Sequence, residues 1–484
     1  MKIVIVGSGT SGLVTAITLR GYFPLWDISI ISSKDIGIIG VGEGSTEHWR
    51  LNFQDKFNIP VLEMVQACRA THKYGIRFEN WTNHTPTYFH SVSGGEWGRA
   101  NFAANYAFCL ENDKLLTNSM ISHLHDNTIL LNENNPHHAV NQFHFDTFKL
   151  NEYLTNICKS RNITFQEGTV SKINRNVENG FIESIDVDAV GSVHGDFFVD
   201  ASGFRRVIMN NLIESEKDFV SYRKYVPCDS AAVFPTPQDE SGEIRPYTRA
   251  VAMPNGWMWE IPTQDRRGNG YVFASDFCSD EQAVKEISEA HGRQIEPARI
   301  IKFKSGYHKT ALIFNCVAVG ISSSFVEPLE ATAISTSIQQ AKMLTSVLPT
   351  FSQASKSSVA LYNKQYESLL ENIITMVAMH YLSDRTDTEM WKAQQHVELP
   401  PILDYLLSIW KERLPEPYDV PIFGYELFHN AHFWHVAQGQ GLLNKDLATI
   451  QLDAFAVRRD SAKHIANVKQ VGLGSRIVKH HEIF

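Results

Sequence analysis

The sequence predicts an α/β fold in which a parallel βαβ core carries an inserted, mostly antiparallel sheet and ends in a mainly helical lobe. Three patterns carry this prediction. The chain opens on a β-branched run, Lys2 to Val6, that breaks at Gly7 and passes into helical apolar spacing through LVTAITLRGYF. Its middle third is dominated by strand-like stretches with few helical ones, the composition of an α/β core bearing an extra sheet. From about Thr332 onward the spacing is helical, with long stretches at Ser335 to Val347 and Ser358 to His380.

The elements follow in order. After the first helix a second β-type run, Trp26 to Ile31, arrives at the interval a parallel crossover needs, so the opening reads as a Rossmann-like unit. A helix is expected at Phe148 to Arg161. Strands are expected at Ile163 to Val170, Ile182 to Val187, Asp196 to Asp200, Tyr271 to Ser275 and Ala311 to Val319. The boundaries read as a core over residues 1–345 and a helical lobe over 346–484, with no linker between them.

Length and composition narrow the function. A chain of 484 residues with 43% apolar and 20% charged residues suits a soluble globular enzyme built as one composite unit. The net charge of −9 comes without any basic stripe, which removes nucleic acid from the expected partners. No apolar stretch approaches the roughly 18 residues of a membrane span, and Gly7 interrupts any signal-peptide core, so the expected location is cytoplasmic. Cys68, Cys109, Cys158, Cys228, Cys278 and Cys316 lie far apart without a C-x-x-C pair. The histidine pairs His137-His138 and His480-His481 lack a third ligand at useful spacing, so no metal is expected.

The segment GSGTSG places Gly7, Gly9 and Gly12 in G-x-G-x-x-G spacing, directly between the first strand and the first helix. One glycine makes the tight turn, one allows close approach of a pyrophosphate, and one lets the helix pack on the strand. The helix start then offers free N–H groups and a positive dipole end to phosphates. Ser32 stands where a ribose-binding acid is usual, with Asp35 three residues on. Only one such fingerprint occurs, which leaves room for FAD but not for a second nicotinamide domain; the reductant must come from elsewhere.

Further motifs span the chain to about Trp391: GVGEGST at 40–46, HKYGIRFENW at 72–81, GDFFVDASGFRR at 195–206, GWMWEIP at 256–262 followed by GNGYVFAS at 268–275, NCVAVGISSSFVEPLEATAI at 315–334, and MVAMHYLSDRTDTEMW at 376–391. In this order and combination they resemble the flavin-dependent tryptophan-halogenase family. The resemblance implies a Rossmann-like FAD-binding core of the flavin monooxygenase type. It implies an enzyme that uses FADH2, O2 and a halide (chloride, bromide or iodide) to form hypohalous acid and halogenate an electron-rich aromatic such as an indole. It also implies a separate NAD(P)H-dependent flavin reductase as partner, and leaves room for a homo-oligomer.

Residue by residue, the resemblance maps a catalytic lysine onto Lys73, where a cation hydrogen-bonds hypohalous acid or forms a haloamine with it. It maps a catalytic carboxylate onto Glu330, with Glu327 as the alternative acid, and a halide site onto the backbone of Thr332 and Ala333 at a helix start. Trp257 and Trp259 are implied to keep organic substrate away from the flavin. FAD contacts are implied at Gly7, Ser8, Gly9, Thr10, Ser11, Gly12, Ser32, Gly42, Glu43, Gly44, Val170, Gly320, Phe325 and Ile334.

Three features depart from the pattern or from its neighbours. Gly320-Ile321 replaces the Gly-Asp pair of many related hydroxylases, which favours halogenation over the alternative reading, a flavin-dependent aromatic monooxygenase. A non-catalytic FAD-binding redox sensor is the rival from another class. Ala331 replaces the serine that usually follows the glutamate. The region around His432-Phe433-Trp434 does not reproduce the clamp that tryptophan-specific members use, so a bare indole or another arene is at least as well suited as free tryptophan.

Overall fold

Lys2–Val6 sits at the heart of a six-stranded sheet, and its burial from Ile3 to Val6 explains why the run is apolar without alternation: parallel neighbours flank it and both faces are covered. In this computed structural model the residues described are 1–33, 36–37, 43–91, 127–131, 142–238, 241–416, 418–421, 424–454 and 476–484. The sheet order is Leu312–Ile313, Cys316–Ala318, Phe197–Asp200, Lys2–Val6, Asp27–Ser32, Thr164–Glu167. All pairings are parallel except the first. Helix Thr10–Tyr22 joins the two central strands, and helix Thr147–Ser160 leads into the edge strand. Asp146 caps that second helix by accepting from the Phe148 and Lys149 amides at 3.0 and 3.2 Å.

Two expected strands are divided. Ile163 to Val170 is not one strand: Thr164–Glu167 joins the parallel sheet, while Val170–Arg175 begins a separate three-stranded antiparallel sheet with Ile182–Val187 and Gly191–His194. Gly168 makes the break, since a Cβ there would lie 2.4 Å from the Asp188 carbonyl. Ala311 to Val319 is likewise a short hairpin, turned at Phe314 with φ 49°.

The inserted sheet has seven strands in the order Arg299–Lys302, Ser230–Pro237, Arg266–Phe273, Gly256–Pro262, Thr248–Met253, Gly75–Glu79, Thr87–Ser91. Its pairings are antiparallel apart from Thr248–Met253 with Gly75–Glu79. The period of two along Gly256–Pro262 sends Trp257, Trp259 and Ile261 to the face lining the main cavity. Gly270 lies opposite Trp259, and a Cβ there would approach the indole to 2.1 Å, so glycine at this position makes room for the ring.

A small three-stranded sheet sets the site. Phe143–Phe145 pairs with Glu43–Gly44 on one side and Thr71–His72 on the other, which brings Gly44 beside Lys73. From the C-terminal part, helix Thr332–Val347 packs on the first helix, and Lys356–His380 packs on Thr332–Val347. Helix Asn430–Gly439 lies across strand Thr87–Ser91. Strand Arg476–Lys479 pairs with Thr128–Leu131, so among the described residues the C-terminal part is helical with one returning strand. Among the described residues no helix is long and apolar enough to cross a membrane.

Candidate active site

A cavity of about 900 Å³ opens where the parallel strands end, lined by Val6, Ile31, Ala201 and Val319 from four of them. Gly7 turns there with φ 117°, and a Cβ would meet the Ala201 carbonyl at 2.2 Å; at Gly12 it would meet the Gly7 carbonyl at 2.1 Å. A Cβ on Gly9 meets nothing within 4 Å, so its open side faces the cavity. The helix that follows has no side-chain cap at Gly9, which leaves its first N–H groups to an anionic ligand. The three glycines thus divide as the fingerprint requires: two for packing and one for clearance.

Of the residues singled out for the cofactor, Gly7, Ser8, Gly9, Thr10, Ser11, Glu43, Gly44, Val170, Gly320, Phe325 and Ile334 line this cavity. Gly12 supports it from behind. Ser33 lines it where Ser32 does not, because successive residues at a strand end point to opposite faces. Gly42, Asp35 and Cys109 lie outside the described residues. Asp200 is a structural carboxylate: it is buried and accepts from the Ile208 and Met209 amides at 2.8 and 2.9 Å and from the Ser202 amide at 3.1 Å. Gly320 has φ 60°, and a Cβ would lie 2.0 Å from Ser11 Oγ. Gly320→Ala is therefore expected to cost about 1–3 kcal/mol and to lower the FAD content of the purified protein, as read by flavin absorbance and thermal melting.

Trp257 and Trp259 form part of the same cavity wall, with ring centroids 6.1 Å apart. The two indoles differ in one respect. Trp257 Nε1 donates to Glu327 at 3.1 Å, whereas Trp259 Nε1 is buried without an acceptor among the described residues. An orphaned donor on a cavity wall fits a ligand that brings its own acceptor.

Beyond the glycine-rich end, Lys73 is 2% exposed and donates from Nζ to the Ser45 carbonyl at 2.9 Å. Its backbone N–H is held by the Gln142 carbonyl at 3.0 Å, and a Cβ added to Gly44 would lie 3.4 Å from Nζ. Burial lowers the Lys73 pKa to about 8, with the Glu330 charge opposing that shift in part.

Glu330 and Ala331 are consecutive left-handed residues, φ 68° and 56°, a conformation costing about 1–3 kcal/mol each for residues with a Cβ. This double reversal aims the carboxylate inward and starts helix Thr332–Val347 without a side-chain cap. Thr332 and Ala333 line the cavity at that helix start, and Ala331 Cβ would be 3.3 Å from a Cβ on Gly44. The Glu330 carboxylate accepts from His90 Nδ1 at 2.7 Å and from His380 Nε2 at 2.9 Å, all three side chains being fully buried. Burial alone would raise its pKa, but the two imidazoles outweigh burial and hold the carboxyl well below the usual range.

Glu327 is the opposite case. It is buried, accepts from Tyr381 Oη at 2.8 Å as well as from Trp257, and burial pushes its pKa up to about 8. At neutral pH it is mainly the neutral acid, held against the tryptophan wall, while Glu330 is the anion beside Lys73. The geometry therefore separates the two carboxyl groups by charge and by neighbour. Sequence reasoning did not single out His90 and marked His432 only as part of a region that departs from the tryptophan clamp; the available signal for His90 was the register of strand Thr87–Ser91 beside Gly75–Glu79, which places it opposite Ile76 and next to the Lys73 segment.

Comparisons with known proteins identify the family and the fold. The family model described as tryptophan halogenase matches residues 2–454. A tryptophan 6-halogenase of Streptomyces toxytricini is 30% identical over 454 residues, covering 87% of this chain and 85% of its own. The structure of BrvH, a flavin-dependent halogenase from Brevundimonas sp. BAL3, superposes with TM-score 0.84 at 25% identity, over 100% of this chain and 98% of that one. A tryptophan halogenase structure from Shewanella frigidimarina shares the fold with TM-score 0.87 at 24% identity, over 100% and 96% of the two chains.

Proposed function

Because the chain belongs to the tryptophan halogenase family, we propose that it halogenates an electron-rich arene such as an indole, with Lys73 carrying the halogen and Glu330 taking the displaced proton. It is a flavin-dependent halogenase with FAD as its cofactor. The observation that carries the finer reading is a buried lysine within electrostatic reach of a buried, ionised carboxylate, where the carboxylate and Gly44, which stands beside the lysine, both line the cavity that holds the glycine-rich turn. Residues 1–345 act as the FAD-binding core, and residues 346–484 as the lobe that brings His380 and His432 to it.

Gly7 to Gly12 and the open helix start suit the pyrophosphate, and Gly44, Gly320 and Phe325 suit the ring system's surroundings. When bound and reduced by a separate NAD(P)H-dependent flavin reductase, FAD supplies, with O2 and a halide, hypohalous acid. The uncapped N–H groups of Thr332 and Ala333 hold the halide, as a helix N-terminus does for anions. The side chains of Trp257 and Trp259 fill the wall between flavin and substrate and keep the arene from the reactive flavin. The chain's residues then separate the making of the oxidant from its use.

At Lys73 the neutral amine displaces hydroxide from hypohalous acid, forming an N–halogen bond and releasing water once a proton is taken up. A ring carbon attacks that halogen, returning the electron pair to nitrogen. The ring C–H bond then breaks, its electrons restore aromaticity, and the proton goes to Glu330. Since only the unprotonated amine is nucleophilic, the single-turnover halogenation rate is expected to rise with pH from 6.5 and level off above about 8. A rate that falls across this range would mean that the ammonium form acts, as a hydrogen-bond donor.

The function itself is tested by incubating indole with the protein, a flavin reductase, NADH, FAD, O2 and chloride, bromide or iodide in turn. Mass spectrometry should find a ring product whose mass follows the halide. A halide-independent hydroxylated product, or none, would overturn the reading.

A further inference from the structure

A buried site that strips one proton from a ring carbon per turnover needs a way to pass that proton to solvent. We infer that His90 and His432 form this outlet, carrying the proton from Glu330 to the exposed ring of His429. The inference rests on the reading of Glu330 as acceptor of the ring proton.

Two imidazoles touch Glu330, and they lead to different places. His380 Nδ1 meets Tyr88 Oη at 2.8 Å, and Tyr88 in turn accepts from Gln440 Nε2 at 3.0 Å. That arm ends on a buried phenol, whose pKa burial raises well above its usual value, and on an amide, neither of which passes protons onward at neutral pH. His90 uses its second nitrogen differently: Nε2 meets His432 Nδ1 at 2.9 Å, with the rings crossing at 86°. His432 is 5% exposed, on helix Asn430–Gly439. Its ring centroid lies 6.2 Å from that of His429, which is exposed at the start of the same helix. A single solvent molecule spans such a gap.

The chain Glu330, His90, His432, His429 thus runs from the buried carboxylate to the surface through groups that all bind protons reversibly. An imidazole takes a proton on one nitrogen and releases one from the other. The relay runs from the His90 tautomer with hydrogen on Nε2, to which the ring shifts once Glu330 is protonated. Nδ1 takes the carboxyl proton while the Nε2 proton leaves for His432 Nδ1, and His432 releases from Nε2 toward His429, so the step ends with His90 Nδ1 again donating to the carboxylate. Burial, then the charges of His90, His429 and His435, hold the His432 pKa well below the ordinary imidazole value, so a proton arriving there is passed on and not stored. Among the described residues the other titratable groups facing His90 are His435, with its ring centroid at 6.2 Å, and Glu47, whose pKa burial raises to about 7.

The test uses the arene halogenated by the wild-type protein, in ordinary and ring-deuterated form. In the wild type the two should react at nearly equal rates, because attack on the halogen precedes and limits loss of the ring proton. In His432→Phe, halogenation should slow about tenfold and the isotope ratio should rise to about 2 or more, since proton loss then becomes limiting. His429→Ala, a surface change, should show the same signs more weakly, with the rate restored by added imidazole; this carries the test if the Phe variant does not fold. If Glu330→Gln raises the ratio while His432→Phe and His429→Ala leave it near 1, the outlet is wrong and Glu330 stands. If Glu330→Gln also leaves it near 1, the reading of Glu330 fails first.

Discussion

Lys73→Ala is expected to lose ring halogenation by about 10³-fold or more while still reoxidising reduced flavin at close to the wild-type rate. The reason is positional. Lys73 stands beyond Gly44 and Ser45 from the glycine-rich end, and in the proposed reaction it meets the halogen only after the oxidant has formed. The variant should fold, because an ammonium that burial has already weakened contributes little to stability, and its loss leaves one carbonyl, that of Ser45, without this donor. Lys73→Met, which fills the same space, should melt within about 1 kcal/mol of the wild type and be equally inactive. Paired assays of NADH or oxygen consumption and of ring product measure the split directly. Loss of flavin turnover in the same proportion as product would place Lys73 in flavin binding instead.

Glu330→Gln should lower halogenation by about 10²–10³-fold and destabilise the protein by about 1.5–3 kcal/mol. The carboxylate has two imidazole donors that it satisfies only as an anion. A neutral amide offers one acceptor and two donors, so one imidazole must turn away or lose its partner. Flavin reoxidation should persist, as it should in Lys73→Ala. Chemical denaturation and single-turnover product formation give the two numbers separately. Glu327→Gln provides the contrast: Glu327 is mainly neutral at pH 7 and faces Trp257 and Tyr381, so its amide analogue should keep most of the halogenation rate.

These residues were not equally legible in the sequence. Gly7, Gly9 and Gly12 announce themselves because a tight turn before a helix restricts residue type, and the tryptophans announce themselves by their period of two. Lys73 and Glu330 were found only through the motifs around them, since no local rule marks a buried cation or a catalytic acid. The left-handed backbone at Glu330 and Ala331 gave no signal, because neither residue is a glycine and the strain is held by the surrounding structure. His90 and His380 reach one carboxylate from a strand and from the last turn of a 25-residue helix, and His432 joins His90 from a later helix. Their meeting is a tertiary fact, and isolated histidines along a chain do not reveal it. The division at Gly168 has a related cause: the break depends on the approach of Gly168 to the Asp188 carbonyl, a contact between segments distant in the sequence.

The central claim is that halogen is handed to the arene inside the protein, at Lys73, and not released as free hypohalous acid. The most direct measurement is a competition: indole halogenation with bromide, run with increasing amounts of a water-soluble scavenger of free hypohalous acid, with the ring isomers separated by chromatography. Transfer from Lys73 inside the protein should give one dominant ring isomer, in a yield that the scavenger leaves unchanged. A yield that falls in step with the scavenger, with the isomer mixture given by hypobromous acid alone, would contradict it.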